Sequence, residues 1–419
     1  MAFGMPPDEE TPLLMHGGSS QASVARTAGN IFISIVGAGV LGLPYTFRMS
    51  GWAVAAGSVT GAACLTYYCM LLLVGCKDSI AKGGGIRVHT YGDLGQMAYG
   101  SIGRLTVDIL ICVSQIGCCV SYLIFLGQNV SSVVTGFTTR SADFIFIMIT
   151  FQVFLASFRS LSSLAPFSIF ADVCNIAAMA LVIKDDLQSP NNGFKSLNPY
   201  TTLGAIPFAM GVAVYCFEGF GMTLTLEASM KTPKKFPQIL ALDFAVITSL
   251  YLLFGFVGYW AFGDNTQDII TLNLPHDLST ILVKIGLCIG LFFTYPVMMY
   301  PVHEIFEAKL LRSAWFQSKV SPSSKFYLLL PNAVRGLSVL GTAILAVSVP
   351  GFGIFISLVG GTVCALLAFV LPSMFHIRLC GASASRHSLI IDLVLILCGV
   401  VFAIYCTYTA VASVFLTPS

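Results

Sequence analysis

Long apolar stretches follow one another along almost the whole chain, and they constrain its fold more than any other feature. A helix needs about 20 residues to cross a bilayer at a rise of about 1.5 Å per residue. Backbone groups in lipid must be hydrogen-bonded within their own segment, so these stretches predict helices rather than loops. The eleven predicted spans lie at residues 27–47, 52–76, 105–135, 142–158, 164–184, 202–226, 237–262, 279–303, 326–348, 351–374 and 388–415.

The composition agrees with a chain that lies mostly in lipid. Of the 419 residues, 56% are hydrophobic and 10% are charged. A soluble globular domain carries roughly a quarter charged residues. So few charges exclude a soluble enzyme, a nucleic-acid binder and a disordered scaffold. The cysteines lie in or beside apolar stretches and in no metal-binding spacing, so we expect no disulfide framework, metal site or cofactor.

The first residues differ from the rest. Residues 1–25 contain three acidic residues followed by prolines, glycines and serines, which predicts a flexible cytosolic tail rather than a signal peptide. Glu9 with Leu13 and Leu14 resembles an acidic dileucine sorting signal, which would contact a sorting adaptor. Such patterns are also common by chance in flexible tails, so an inert tail is the alternative. Residues 26–419 form the predicted membrane domain.

Basic residues are distributed unevenly between the loops on the two sides of the predicted bundle. With a cytosolic N-terminus, 15 of the 21 lysines and arginines fall on the cytosolic side and four on the other. Cytosolic loops of membrane proteins carry an excess of basic residues. We therefore predict a cytosolic N-terminus and, with eleven spans, a C-terminus on the opposite side.

Two spans contain clusters of residues that interrupt helices. Glycine in a helix interior costs about 1 kcal/mol and proline about 3 kcal/mol relative to alanine. Span one contains such a cluster at Gly37–Pro44 and span six at Cys216–Gly221. They open two five-span blocks, about 27–184 and 202–374, followed by an extra helix at 388–415. This pattern is typical of an inverted repeat with discontinuous helices around a midplane site. Close helix packing by small residues is the alternative.

Broken helices offer specific chemistry in the membrane. Their freed N–H groups and positive helix N-termini suit a carboxylate, and their freed carbonyls suit an ammonium group. A small zwitterion offers both groups, so the pattern favours an amino acid over a sugar or an apolar drug. The backbone expected to line the site belongs to Gly37, Ala38, Gly39, Val40, Leu41, Cys216, Phe217, Glu218, Gly219 and Phe220.

Ionisable residues inside the spans are the candidates for proton coupling. A charge at the bilayer centre costs at least about 2.5–3.5 kcal/mol, so such residues are usually functional or protonated. Glu218 lies within the second break and is the strongest candidate, the alternative being a neutral carboxyl that only caps freed backbone. Asp172 lies one turn before Asn175 in span five and is either a second proton site or a structural carboxylate.

Three further polar residues lie well inside predicted spans. Tyr122 and Thr294 would supply hydroxyl groups to the cavity, or would only pack between helices. Arg335 needs a partner, and the acids available on spans that might face it are Asp172 and Asp243. The sequence does not choose between them.

Three segments resemble the amino acid/auxin permease family. They are NIFISIVGAGVLGLP at Asn30–Pro44, CFEGFGMTLTLEASMKTPKKFP at Cys216–Pro237 and FFTYPVMMYP at Phe292–Pro301. The chain looks most like its plant vacuolar neutral-amino-acid exporters and the proton-assisted lysosomal transporters of animals. The resemblance implies an all-α integral membrane protein with the LeuT-like fold, eleven transmembrane helices, and proton rather than sodium coupling.

The combined expectation is a secondary active transporter of small neutral amino acids in a vacuolar or lysosomal membrane. It would be driven by protons from lumen to cytosol, with alternating access around helices one and six. Its partners would be the amino acid, protons and lipid, and no nucleic acid. The chain carries no GxxxxGK[ST], GxSxG or HExxH motif, so we expect no enzyme activity. A channel, an amino-acid sensor with little transport and a plasma-membrane amino acid or auxin importer are the alternatives.

Overall fold

A computed structural model gives the fold of this chain, and its described part consists mainly of helices joined by short turns and loops. The described residues are 23–83, 88–134, 141–157, 165–188, 197–275, 277–319, 325–349 and 351–416. The helices are α1 Val24–Ile35, α2 Leu43–Ser50, α3 Trp52–Lys82, α4 Tyr91–Val133, α5 Ser141–Ala156, α6 Ala165–Gln188, α7 Ala205–Cys216, α8 Phe220–Ala228, α9 Phe236–Phe262, α10 Leu278–Arg312, α11 Ala314–Lys319, α12 Lys325–Ser348, α13 Phe352–Val359, α14 Leu371–Cys380 and α15 Arg386–Leu416.

Eight helical segments are long and apolar enough to cross a membrane, or nine if the bent pair α1 and α2 forms one span. This number covers only the residues that the structure describes. Two further apolar segments are shorter, α5 with 16 residues and Val173–Lys184 within α6. The all-helical membrane class is therefore confirmed, whereas eleven spans and the 5+5 repeat remain predictions.

Both predicted helix interruptions are present. α1 ends at Ile35, a short 3₁₀ turn follows at Ala38–Gly42, and the axis bends by 47° before α2. α7 ends at Cys216 and α8 begins at Phe220, which leaves three residues between them. Glycine and proline produce these breaks because they weaken or terminate regular helices.

Helix α4 begins earlier than the span predicted from residue 105. Thr90 and Asp93 form a reciprocal capping box at its start, which satisfies free amides of the first turn. The helix then kinks at Tyr99 and Gly100, where Gly100 has φ of +65°. Glycine adopts this left-handed backbone without a Cβ penalty, so the residue separates a short first segment from the long apolar part.

The core is built by close helix contacts around α7. α7 packs against α3 and α13, while α10 packs against α4 and α6. Between α13 and α14 the helix widens into π-helical turns at Gly360–Cys364 and Leu366–Val370. A Cβ on Gly360 would lie 1.9 Å from the Gly211 carbonyl oxygen of α7, so the two backbones are in direct contact.

Replacing Gly360 with alanine is expected to lower the free energy of unfolding by about 1–3 kcal/mol, because overpacking forces backbone to move. Thermal unfolding of the purified protein in detergent, followed by intrinsic fluorescence, measures the loss. Gly57→Ala is the matched control, since a Cβ there meets no atom within 4 Å. Equal unfolding midpoints for the two variants would show that the α7 contact is looser than described.

Candidate functional site

The break in the first span frees backbone hydrogen-bonding groups inside the helix bundle. Val36 donates its N–H to the Phe32 carbonyl at 2.9 Å and ends α1, and Gly37 continues in extended conformation. Residues 38–42 are all buried, so the freed backbone faces protein. Irregular backbone at membrane depth is tolerated in this setting.

The break in the second span lies against the first. Gly39 lies so close to α7 that an added Cβ would be 2.9 Å from the Tyr215 ring and 3.3 Å from Cys216 Sγ. Gly219 lies against the end of α1, where its Cβ would be 3.2 Å from Ile35 Cγ1. The structure therefore brings together the two backbone segments that the sequence predicts to form one site.

Glu218 lies within the second break, and its carboxyl group contacts α4. Ser114 Oγ donates to Glu218 Oε1 at 2.9 Å, and the Cys118 thiol lies 3.7 Å from Oε2. Cys364 Sγ, in the π-helical turn, lies 3.7 Å from Ser114 Oγ. Among the described residues no lysine, arginine or histidine forms an ion pair with Glu218. The carboxyl is thus held by neutral donors and is partly buried.

The contacts of Ser114 and Cys118 with Glu218 were not anticipated from the sequence. Ser114 and Cys118 are four residues apart on α4, so they share one helix face. Their spacing gives a weak sequence signal, because many serine and cysteine pairs in membrane helices only pack. Tyr215 was also missed, although its hydroxyl lies 2.7 Å from Ser121 Oγ and links α7 to α4.

The two predicted hydroxyl donors differ in their surroundings. Tyr122 is buried on α4, next to the Ser121 that contacts Tyr215. Thr294 Oγ1 donates to the Gly290 carbonyl of its own helix at 2.9 Å, so its proton is already engaged. The structure does not test a substrate role for either residue.

Other sequence predictions fall outside the described part of the chain. Glu9, Leu13 and Leu14 precede the first described residue. Asp172 lies on α6, but its side chain is not among those described, so its role as a second proton site stays a prediction.

Arg335 forms an ion pair with an acid that was not considered from the sequence, whereas the side chain of Asp172 is not among those described. Its guanidinium makes a two-pronged ion pair with Glu307 of α10, with Nε–Oε1 at 2.6 Å and Nη2–Oε2 at 3.1 Å. Its Nη1 also donates to the Ala156 carbonyl of α5 at 2.9 Å. Glu307 is 28 positions away in sequence, so helix spacing gave no indication of this pair.

Comparison with known proteins gives a consistent result. The profile of the family described as transmembrane amino acid transporter protein matches residues 20–412. The amino acid transporter ANT1 of Arabidopsis thaliana is 46% identical, covering 98% of this chain and 95% of its own length. Amino acid transporter AVT3A of the same plant is 39% identical, covering 97% and 92% respectively. Vacuolar amino acid transporter 3 of Saccharomyces cerevisiae is 28% identical, covering 93% of this chain and 57% of its own.

Among solved structures, this chain is similar to Mhp1, a nucleobase-cation-symport-1 family transporter in a closed conformation with bromovinylhydantoin bound. The TM-score is 0.50 and the sequence identity is 15%. The match covers 94% of this chain and 93% of Mhp1, which shows a shared fold. The relatives are transporters and not enzymes, as the missing catalytic motifs predicted. The family match and the plant relatives also confirm the resemblance drawn from three motifs, and the chain belongs to the transmembrane amino acid transporter protein family.

Proposed function

We propose that this protein is a proton-coupled secondary transporter of small neutral amino acids that works by alternating access. The observation that carries the proposal is the meeting of the two helix breaks, with Gly39 against Tyr215 and Gly219 against Ile35. A carboxyl group, Glu218, lies at the same place. Backbone for binding and a group able to exchange a proton are therefore adjacent.

The helix ends at the breaks suit a zwitterion. Neither the 3₁₀ turn at Ala38–Gly42, which leads into α2, nor α8 has a side chain that caps its start, and both begin at the breaks. Free N–H groups at a helix N-terminus favour a carboxylate, and the partial negative charge at the C-terminal ends of α1 and α7 favours an ammonium group. The two breaks lie in direct contact, so they would admit only a small substrate between them, which supports neutral amino acids of modest size.

The two sides of the breaks differ in packing, which supports alternating access. On the α2 side, helices are in direct contact, since a Cβ on Gly258 would lie 2.7 Å from Pro44 and one on Gly255 would lie 2.5 Å from Phe47. On the α1 side, a narrow cleft runs between α1, α3, α8 and α9, with Ser34 and Thr223 among its lining residues. One side is closed by packing, while the other side holds a narrow cleft.

The vacuolar relative from yeast and the distribution of basic residues support a location and an orientation for the chain. We place the protein in a vacuolar or lysosomal membrane with the N-terminus cytosolic and the C-terminus luminal. If the lumen is more acidic by about two pH units, one co-transported proton provides about 2.7 kcal/mol. That free energy supports about a hundredfold substrate gradient from lumen to cytosol.

Uptake of a panel of radiolabelled amino acids into proteoliposomes tests this function directly. The purified protein is assayed with an imposed pH gradient and with that gradient collapsed by a protonophore. We expect saturable accumulation of alanine, proline or similar substrates only with the gradient. Accumulation of auxin rather than amino acids, binding without accumulation, or gradient-independent equilibration would each contradict the proposal and indicate an auxin carrier, a sensor or a facilitator, respectively.

A further inference from the structure

Tyr251 contacts both helix breaks with one hydroxyl group. Its side chain on α9 is completely buried. The hydroxyl oxygen lies 3.3 Å from the Ile35 carbonyl oxygen at the end of α1 and 3.2 Å from the Cys216 carbonyl oxygen at the end of α7. A phenol has a single proton to donate, so the two carbonyls share it in a three-centre hydrogen bond.

The two acceptors are special positions on their helices. Ile35 and Cys216 are the final residues of α1 and α7. Because each helix stops there, no backbone N–H of the same helix is available to their carbonyls. Buried carbonyls of this kind need another donor, because leaving them unpaired costs free energy. Tyr251 supplies that donor to both breaks at once.

The phenol ring is held firmly where it can do this. Its centroid lies 5.2 Å from that of Phe217, which is itself in the second break, and Phe217 stacks on Phe244 of α9 at 5.6 Å. Tyr251 and Phe217 are both fully buried, so the ring has little freedom to move. The position of the hydroxyl is therefore set by packing and not by the two carbonyls alone.

We propose that Tyr251 is a positioning residue for transport, holding the ends of α1 and α7 at the separation that the bound substrate requires. The proposal rests on the proposed function, because it assigns the substrate to the space between these breaks. It goes further by naming a residue outside the breaks that keeps them together. A site whose halves are held in place before binding pays less to order them, which raises affinity.

The bond also has a consequence for the transport cycle. α1 and α7 belong to different broken spans, and alternating access rocks or gates one part of the bundle against another around the site. The three-centre bond opens if this motion separates the end of α1 from the end of α7. Tyr251 therefore favours the arrangement in which the breaks are closed on the substrate, and it is released when they separate.

Tyr251→Phe tests the role, because it removes the hydroxyl and keeps the ring. We expect KM for the transported amino acid to rise about three- to tenfold, as the loss of one buried hydrogen bond allows, with Vmax per inserted protein within about twofold of wild type. Tyr259→Phe is the matched control. Tyr259 is equally buried on the same helix, and its hydroxyl accepts a hydrogen bond from the Asn198 amide away from the breaks. We expect KM and Vmax of the Tyr259→Phe variant to equal those of the wild type.

One further substitution and the wild-type control keep the test decisive. Replacing Tyr251 with 4-aminophenylalanine restores a donor group at the same place, and it should return KM towards the wild-type value even if the phenylalanine variant is unstable. If Tyr251→Phe lowers only Vmax or the unfolding temperature and leaves KM unchanged, the residue is structural and the proposal is wrong. A wild-type protein that transports no amino acid would overturn the proposed function instead, and this is read from the wild-type arm alone.

Discussion

Replacing Glu218 with glutamine is expected to abolish accumulation of substrate against its gradient. Glutamine has the same size and can accept a hydrogen bond from Ser114, which lies 2.9 Å from the carboxylate. It cannot gain or lose a proton, so the coupling between proton and amino acid is removed while the site keeps its shape. Accumulation driven by a pH gradient in proteoliposomes measures the effect, and we expect it to fall to the level of empty vesicles.

Exchange of labelled for unlabelled substrate, without any gradient, separates coupling from binding. Glu218→Gln should retain such exchange, because the backbone of the two breaks is unaltered. Glu304→Gln, an equal change at an exposed position on α10, serves as the matched control and should accumulate substrate normally. A Glu218→Gln protein that still accumulates substrate with an unchanged pH profile would remove Glu218 from the coupling mechanism.

The helix breaks could be predicted because their causes are local. Glycine and proline act on the backbone of their own segment, so Gly37–Pro44 and Cys216–Gly221 indicate interruptions wherever the chain folds. The same holds for the long apolar helices, which the structure places close to the predicted spans. α12, for example, runs from Lys325 to Ser348, against a prediction of 326–348.

The contacts within the site could not be predicted because they join distant parts of the chain. Ser114 lies 104 positions from Glu218, and Tyr251 lies 216 positions from Ile35. Such pairs depend on the rotation of each helix about its axis, and a helix that is apolar on all sides gives little indication of this rotation. The pairing of Arg335 with Glu307 was missed for the same reason.

Arg335 ties three helices together inside the bundle. Its side chain on α12 is 5% exposed, Glu307 on α10 is 15% exposed, and the bonded Ala156 carbonyl is at the end of α5. A cation at a helix C-terminus satisfies a carbonyl that has no partner within the helix. One guanidinium thus neutralises a carboxylate and caps a helix, two tasks that a lysine could not perform with the same geometry.

Glu307→Gln is expected to destabilise the protein by about 3–5 kcal/mol, because it removes the carboxylate that forms a bidentate ion pair with the buried Arg335 guanidinium. Removing one partner costs more than the pair itself contributes, since the remaining ion stays desolvated. The apparent free energy of unfolding in detergent, from denaturant titration followed by fluorescence, measures the loss.

A double variant distinguishes a lost charge pair from general damage to the bundle. Changing Glu307→Met together with Arg335→Met removes both charges and should recover most of the stability, because replacing a buried pair by apolar side chains is often neutral. Arg104→Met is the control. Arg104 pairs with Asp93 at 3.3 Å and is 47% exposed, so its loss should cost less than about 1 kcal/mol. Equal losses for Glu307→Gln and Arg104→Met would mean that water reaches Arg335, and the tie between α5, α10 and α12 would then contribute little to the fold.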